Sequence, residues 1–314
     1  MENVVVNVNG VIHVFSSLQR EIEAPQAVVS VFDRSFLYGD SLYEVFRSHE
    51  GVFLQLDEHL ERLYRSAALC RMRVSQDPGS LKAQIAKTFA EFQKGAQKGQ
   101  QDAYCRLVLT RGVGRIGFGE ECVLTPTQII IIVQKVELPT EAQIEKGLHL
   151  QISKRIRNRP EALDPAMKSG NYLNSLLAYL EAAAENIDDK FDDALLCNGD
   201  GHITEGTTFN IFYVKRGILV TPPLDIGILE GTTRRAVLEV ARQLSIPIRE
   251  VRFPKERLYK ADEVFATSTT KDIFPVTRLD QKKIGAGKPG EISLKLRKAL
   301  QAALIESAKK MGRH

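Results

Sequence analysis

The chain has 314 residues, 43% apolar and 26% charged, and its 43 Lys plus Arg against 39 Asp plus Glu give a net charge of +4. That length corresponds to about two domains, and the composition excludes disordered, collagen-like and low-complexity chains. Interspersed charges exclude a basic nucleic-acid arm, and the longest apolar run, Ile129–Val133, excludes a membrane helix, which needs ~20 residues.

The N-terminus, Met1-Glu2-Asn3, shows no basic and apolar leader. Val4–Val8 and Val11–Val14 flank Asn9-Gly10, whose residues tolerate positive φ, so a hairpin is expected. Ala27–Phe32 reads as a further strand, and Leu42–Ser48 with Val52–Leu56 as a second hairpin around Glu50-Gly51. Leu60, Leu63, Ala67 and Cys70 recur at helical spacing, with Asp57 placed to cap that helix and His59 expected at its surface or half-buried. A helix over Ser80–Phe92, a polar loop over Lys94–Gln101 and strands over Tyr104–Thr110 and Gln128–Gln134 follow. Lys135–Glu141 contains Pro139 and reads as a linker.

Beyond it, strands are expected at Leu148–Ile152, Ala194–Cys197, Asn210–Val214, Ile218–Thr221, Ile248–Val251 and Glu263–Ala266. Helices are expected at Leu173–Glu185, Thr233–Leu244 and Glu291–Met311. The division is residues 1–135, a linker over 136–142, and residues 143–314. Helices set among antiparallel hairpins give an α/β (α+β) class rather than regular βαβ alternation.

The four cysteines, Cys70, Cys105, Cys122 and Cys197, form no CxxC pair, which fits a reducing cytoplasm and speaks against a zinc site. Gly112-Val113-Gly114-Arg115-Ile116-Gly117 spells G-x-G-x-x-G, but the residues after it make a poor helix, and a dinucleotide fingerprint needs one there. Three other segments carry more. Lys168-Ser169-Gly170-Asn171-Tyr172 leads into a helix. Thr204-Glu205-Gly206 sets a carboxylate among small residues between two strands. Gly231-Thr232-Thr233 opens a helix, which is either an anion site or ordinary Thr capping. Thr267-Ser268-Thr269-Thr270 after a strand adds hydroxyls or is a plain polar turn. A lysine, an acid and an anion cradle are what pyridoxal phosphate needs: an amine for the Schiff base, a partner for the ring nitrogen, and a phosphate site.

These segments, with Phe32-Asp33-Arg34-Ser35-Phe36-Leu37-Tyr38-Gly39-Asp40, Tyr43-Glu44, Glu58-His59-Leu60-Glu61-Arg62-Leu63 and Ala261-Asp262-Glu263-Val264-Phe265, make the chain similar to the class IV aminotransferases over nearly its whole length. The resemblance implies a two-domain fold-type IV enzyme, with a smaller N-terminal domain and a larger C-terminal domain around a β-barrel-like core. It implies pyridoxal 5'-phosphate as cofactor, amino-acid and 2-oxo-acid substrates, and a homodimer. Lys168 then resembles the Schiff-base lysine and proton carrier, Glu205 the acid at the ring nitrogen, and Arg62, Thr232, Thr233 and Thr269 the phosphate contacts. Tyr172 resembles the tyrosine near the ring hydroxyl, although the branched-chain enzymes have one more residue between lysine and tyrosine.

Subfamily features divide. Tyr104-Cys105-Arg106 resembles the Tyr-x-Arg strand on the carboxylate side of branched-chain enzymes, and Arg47 stands where those enzymes often have a basic residue that would meet the second carboxylate of glutamate, or is an exposed strand cation. Tyr43-Glu44-Val45 and Thr267-Ser268-Thr269-Thr270 resemble the D-amino-acid enzymes, with Thr270 expected on the substrate side; the Arg-x-His trap of those enzymes is here reduced to Arg115 without histidine. The expectation leans to a branched-chain L-amino-acid transaminase. The alternatives are a D-amino-acid or (R)-amine transaminase, an aminodeoxychorismate lyase, or a non-catalytic protein on the same fold.

Overall fold

A computed structural model describes residues 4–15, 26–96, 102–185 and 190–311. They fall into two units. The first comprises the described residues up to Glu137, Met167–Asn171 and the residues from Ser307 onward; the second comprises Leu138–Ala166 and Tyr172–Glu306. Lys168 follows the linker in sequence yet belongs to the first unit.

In the first unit the chain runs through strands β1 (Val4–Val8) and β2 (Val11–Phe15), the short helix α1 (Arg34–Tyr38), β3 (Ser41–His49), β4 (Val52–Phe53), helices α2 (Leu56–Leu69) and α3 (Pro78–Gly95), then β5 (Ala103–Thr110) and β6 (Gln128–Lys135). The sheet order is β2-β1-β6-β5-β3-β4, antiparallel throughout. Asn9 and Gly10 turn the first hairpin at φ 52 and 91, the geometry of a tight two-residue turn. Alternation sends Leu42, Phe46, Cys105, Leu107, Leu109, Ile129, Ile131 and Val133 to one face, where they pack on Leu60, Leu63, Leu81, Ile85 and Phe89 of the helices.

Several local expectations are corrected. Ala27–Phe32 is not a strand. Its β-branched composition favours extension, but a strand needs a ladder, and among the described residues this segment has none; Val28, Val29, Val31 and Phe32 are 48–63% exposed. Asp57 does not cap α2: the helix starts two residues earlier, behind Gln55 at φ 53, and Asp57 lies in the first turn, where its charge still suits the positive helix end. Helix α3 starts earlier than expected because Asp77 caps it, accepting from Gly79 and Ser80 backbone N–H, with Pro78 in the first turn. Most of the polar loop after α3 lies outside the described residues.

The second unit contains helix α4 (Glu141–Lys146), β7 (Leu148–Ile156), α5 (Pro160–Leu163), α6 (Leu173–Glu185), β8 (Asp193–Cys197), β9 (Ile203–Gly206), β10 (Asn210–Lys215), β11 (Ile218–Thr221), α7 (Thr232–Gln243), β12 (Ile248–Glu250), α8 (Lys255–Tyr259), β13 (Glu263–Ser268), β14 (Asp272–Leu279), β15 (Lys282–Lys283) and α9 (Glu291–Met311) as far as Glu306. The strand order is β12-β11-β10-β13-β14-β7-β8-β9, with β15 on β14. β9 ends the sheet, yet three residues later the chain re-enters it as β10, with Gly206 N–H on Phe209 O at 2.8 Å. The strands between must therefore curl round, which gives the half-barrel. Its core includes Leu150, Leu195, Ile203, Ile211, Val264, Val276 and Leu279. Glu205 was expected between strands but lies within β9, and β14, which carries Pro275, was not anticipated. Among the described residues no helix is long and apolar enough to cross a membrane.

Candidate active site

In the first unit, Met167–Asn171 runs beside the first residues of β3. Tyr43 N–H donates to Lys168 O at 3.0 Å and Gly170 N–H to Ser41 O at 2.8 Å. Lys168 N–H adds a bond to Ser66 Oγ on α2 at 3.2 Å. A Cβ on Gly170 would stand 2.2 Å from Ser41 Oγ, so only glycine permits this approach without displacing Ser41. The lysine backbone is thus held from both sides. Its Nζ lies 3.0 Å from Tyr43 Oη and 4.4 Å from the centre of that ring.

The β3–β5 register pairs Arg47 with Tyr104, Val45 with Arg106 and Tyr43 with Val108. Directly paired residues share a face, so Tyr43, Arg47, Tyr104 and Arg106 line one side of the sheet. The Arg106 guanidinium lies 4.3 Å from the Tyr43 ring centre, a cation–π contact. Arg47 is buried. Arg115 is not on this face: it is exposed, in the loop between β5 and β6.

The opposite face of β3 carries Glu44. Its two oxygens accept from Arg62 Nε at 2.8 Å and Nη2 at 2.6 Å, and Oε2 also lies 2.7 Å from His59 Nδ1. All three side chains are buried. Burial works against ionising Glu44, but the Arg62 charge and its hydrogen bonds prevail and bring the carboxyl down to about 2. Burial pushes the His59 imidazole below its ordinary range, against the pull of Glu44. The expectation of a surface or half-buried His59 is therefore corrected. The helical pattern places it one turn before Leu63, and the buried carboxylate facing it comes from a strand fifteen residues away.

In the second unit, Glu205 on β9 is buried. Its Oε1 accepts from Arg157 Nε at 3.0 Å and Nη2 at 2.9 Å. Its Oε2 accepts from Leu229 N–H at 3.0 Å and Asn210 Nδ2 at 3.3 Å. Arg157 Nη1 reaches Asn174 Oδ1 at 3.2 Å. Helix α7 begins at Gly231 with no side chain capping it, so the alternative of Thr capping does not apply. A helix's first N–H groups have no partner within the helix, and the buried Thr232 and Thr233 hydroxyls stand in that first turn. A Cβ on Gly231 would stand 2.1 Å from Asn210 Oδ1, so the helix entry and the Glu205 support share a tight glycine contact. Thr269 and Thr270 occupy the turn between β13 and β14, and Tyr172, half-buried, directly precedes α6. After Gly112, no helix begins among the glycines up to Gly117; Glu120–Cys122 forms one 3₁₀ turn.

Sequence reasoning did not single out Arg157, Asn174 or Asn210, and gave Glu44 no role. Arg157 sits in the basic run Lys154–Arg159, whose default is a solvated face, and only the β7–β8 pairing brings it beside β9.

The family model for amino-transferase class IV matches residues 41–279. A Methanocaldococcus jannaschii protein, provisionally named a branched-chain-amino-acid aminotransferase, is 38% identical over 278 residues, covering 88% of this chain and 91% of that one. The D-alanine aminotransferase of Bacillus licheniformis is 31% identical, covering 93% of this chain and 97% of that one. Among solved structures, a T.th. branched-chain amino acid aminotransferase with pyridoxamine 5'-phosphate superposes with a TM-score of 0.81 at 28% identity, over 96% of this chain and 93% of that one.

Proposed function

Because the chain belongs to the class IV aminotransferase family, fold-type IV enzymes that use pyridoxal phosphate, we propose that it exchanges amino groups between branched-chain L-amino acids and 2-oxo acids, with Lys168 as its catalytic residue. The observation that carries this reading is the shared face of Tyr43, Arg47, Tyr104 and Arg106 beside Lys168. It offers two guanidinium groups for carboxylates, as glutamate and 2-oxoglutarate require, next to an amine.

The residues fit the cofactor. Lys168 offers an amine whose backbone is fixed, and Glu205 offers a carboxylate already surrounded by donors that keep it an acceptor. Helix α7 offers an uncapped N-terminus flanked by Thr232 and Thr233, and Arg62 a buried cation. When bound, pyridoxal phosphate supplies the carbonyl that takes the amino group and a ring that accepts the electron pair left at Cα. Lys168 would carry the cofactor and move the proton to and from Cα. Glu205 would face the ring nitrogen and favour its protonated form, with Arg157 and Asn210 fixing the carboxylate's orientation. Arg62, Thr232, Thr233 and Thr269 would bind the phosphate, and Tyr172 would approach the ring hydroxyl. Tyr104 and Arg106 receive the substrate α-carboxylate and Arg47 a second carboxylate, with Arg115 and Thr270 contributing on the substrate side.

The second reading, a D-amino-acid transaminase, is favoured by Tyr43-Glu44-Val45 and by the short spacing from Lys168 to Tyr172. A panel of L-Leu, L-Val, D-Ala and D-Glu with oxo-acid acceptors decides. Turnover of D-Ala without L-Leu overturns the leading reading, and a wild-type protein that takes up no cofactor overturns both. Lys168→Ala should abolish turnover and the visible band of the bound cofactor.

We infer further that the chain works as a homodimer in the cytoplasm. The apolar side chains that the first unit leaves exposed, Val28, Val31, Phe32, Phe36, Ile116 and Phe118, support the dimer, and the four free cysteines support the reducing compartment.

A further inference from the structure

Arg62 is not presented as a bare cation. Glu44 meets it through two near-parallel bonds, Nε to Oε1 at 2.8 Å and Nη2 to Oε2 at 2.6 Å, the fork-to-fork geometry that fixes a guanidinium in one plane. Glu44 is itself fixed. It projects from β3, where backbone pairing with β5 continues on both sides of it, and His59 Nδ1 lies 2.7 Å from its Oε2. With the imidazole held neutral by burial, that short distance assigns the proton to Nδ1, donated to the carboxylate. The 3.3 Å approach of Arg62 Nη2 to the same nitrogen is then a contact between two donors. His59 and Arg62 are three residues apart on α2 and so lie on one side of it. The result is a buried unit of strand carboxylate, helix imidazole and helix guanidinium, with one negative and one positive charge.

We propose that Glu44, locked by His59, is the positioning residue for Arg62, setting the plane and direction in which the guanidinium meets the cofactor's phosphate. This rests on the assignment of Arg62 to the phosphate. A different role for Glu44, neutralising a buried cation, makes opposite predictions. An anion that only neutralises Arg62 weakens its attraction for a phosphate, so its removal would raise phosphate affinity. A positioning anion must also stand at the right distance, so shortening it by one methylene would reduce that affinity even though the charge remains.

The experiment titrates cofactor-free protein with pyridoxal phosphate and with pyridoxal, following absorbance and protein fluorescence, and reads the ratio of the two Kd values. Loss of folding would affect both ligands; loss of phosphate positioning affects only the ratio. Arg62→Ala should collapse the preference for the phosphorylated form. Glu44→Gln and Glu44→Asp should each reduce it roughly tenfold or more. His59→Asn, whose amide N–H takes the place of Nδ1, should stay near wild type, whereas His59→Leu should lose part of the preference. Should Glu44→Gln not fold, Glu44→Asp decides. Full preference in Glu44→Asp, or a raised preference in Glu44→Gln, overturns the proposal while Arg62 keeps its assignment. Full preference in Arg62→Ala overturns both.

Discussion

Lys168 Nζ and the Tyr43 hydroxyl are 3.0 Å apart, and the ring that carries that hydroxyl also lies 4.3 Å from the Arg106 guanidinium. One tyrosine therefore meets the amine through its oxygen and the Arg106 guanidinium through its ring. Tyr43→Phe separates the two: the ring and its contact with Arg106 remain, and Lys168 loses its oxygen partner. The expected outcome is a kcat reduced by roughly fivefold to tenfold, the worth of one hydrogen bond of ~1 kcal/mol, with an unchanged unfolding temperature. Steady-state kinetics and thermal unfolding check this. A normal kcat would separate Tyr43 from the working lysine.

Arg157 supplies both donors on Glu205 Oε1. Arg157→Ala leaves a buried carboxylate with half its support, and the expected loss in kcat/KM is about 10–100-fold, from the ~1.5–3 kcal/mol of a hydrogen bond to a charged group. Arg157→Lys should recover only part of it, because an ammonium cannot reproduce the fork of Nε and Nη2. Full activity in Arg157→Ala would show that Asn210 and Leu229 suffice.

Gly170→Ala drives a Cβ to 2.2 Å from Ser41 Oγ. The expected cost is about 1–3 kcal/mol of stability, with reduced turnover because the segment that carries Lys168 must shift. Ser41→Ala removes the clashing oxygen and leaves Ser41 Cβ at an ordinary 3.5 Å. The double variant should therefore recover both stability and turnover, a non-additivity that a double-mutant cycle measures.

Glu44 and His59 make stability fall with acid in two windows. The Glu44 carboxyl is lowered from 4.5 to about 2, so its contribution is complete above 4.5 and is lost as pH falls toward 2. His59 is lowered from 6.5. Below 6.5 the unfolded chain takes up a proton that the folded chain refuses, so stability declines there by at most about 1.4 kcal/mol per pH unit. Denaturant unfolding of wild type and His59→Asn between pH 4.5 and 7.5 checks the upper window. The wild-type curve should lose more stability than the variant below pH 6.5, and parallel curves would refute the buried neutral imidazole.

The elements with a strong local pattern were legible: the Asn9-Gly10 hairpin, the helix over Leu173–Glu185 and the strand over Ile218–Thr221 stand as the sequence implied. What failed depended on partners distant in sequence. Ala27–Phe32 has the composition of a strand but joins no ladder among the described residues. His59 looked peripheral because its partner, Glu44, comes from a strand. Of the candidate site, Lys168, Glu205 and the Gly231-Thr232-Thr233 helix entry stand out as motifs in the chain, whereas Arg157 and Asn210 do not. The pairing that puts Arg47 beside Tyr104, and the four donors around Glu205, are products of sheet register and of the curl of the second sheet, which no local pattern encodes.

Tyr43 and Glu44 are neighbours on β3 and point to opposite faces, one toward Lys168 and one toward Arg62. The strand thereby divides its labour by parity. Odd positions 43, 45 and 47 share the face of Tyr104 and Arg106, while even positions 42, 44 and 46 face the core and the Arg62 side chain. Val45 and Arg47 can be substituted without touching the Glu44–Arg62 pair on the other face, whereas Tyr43 also meets Lys168 Nζ. A one-residue insertion in this strand would exchange the two sets at a stroke, so its length is constrained more tightly than the identity of its odd-numbered residues.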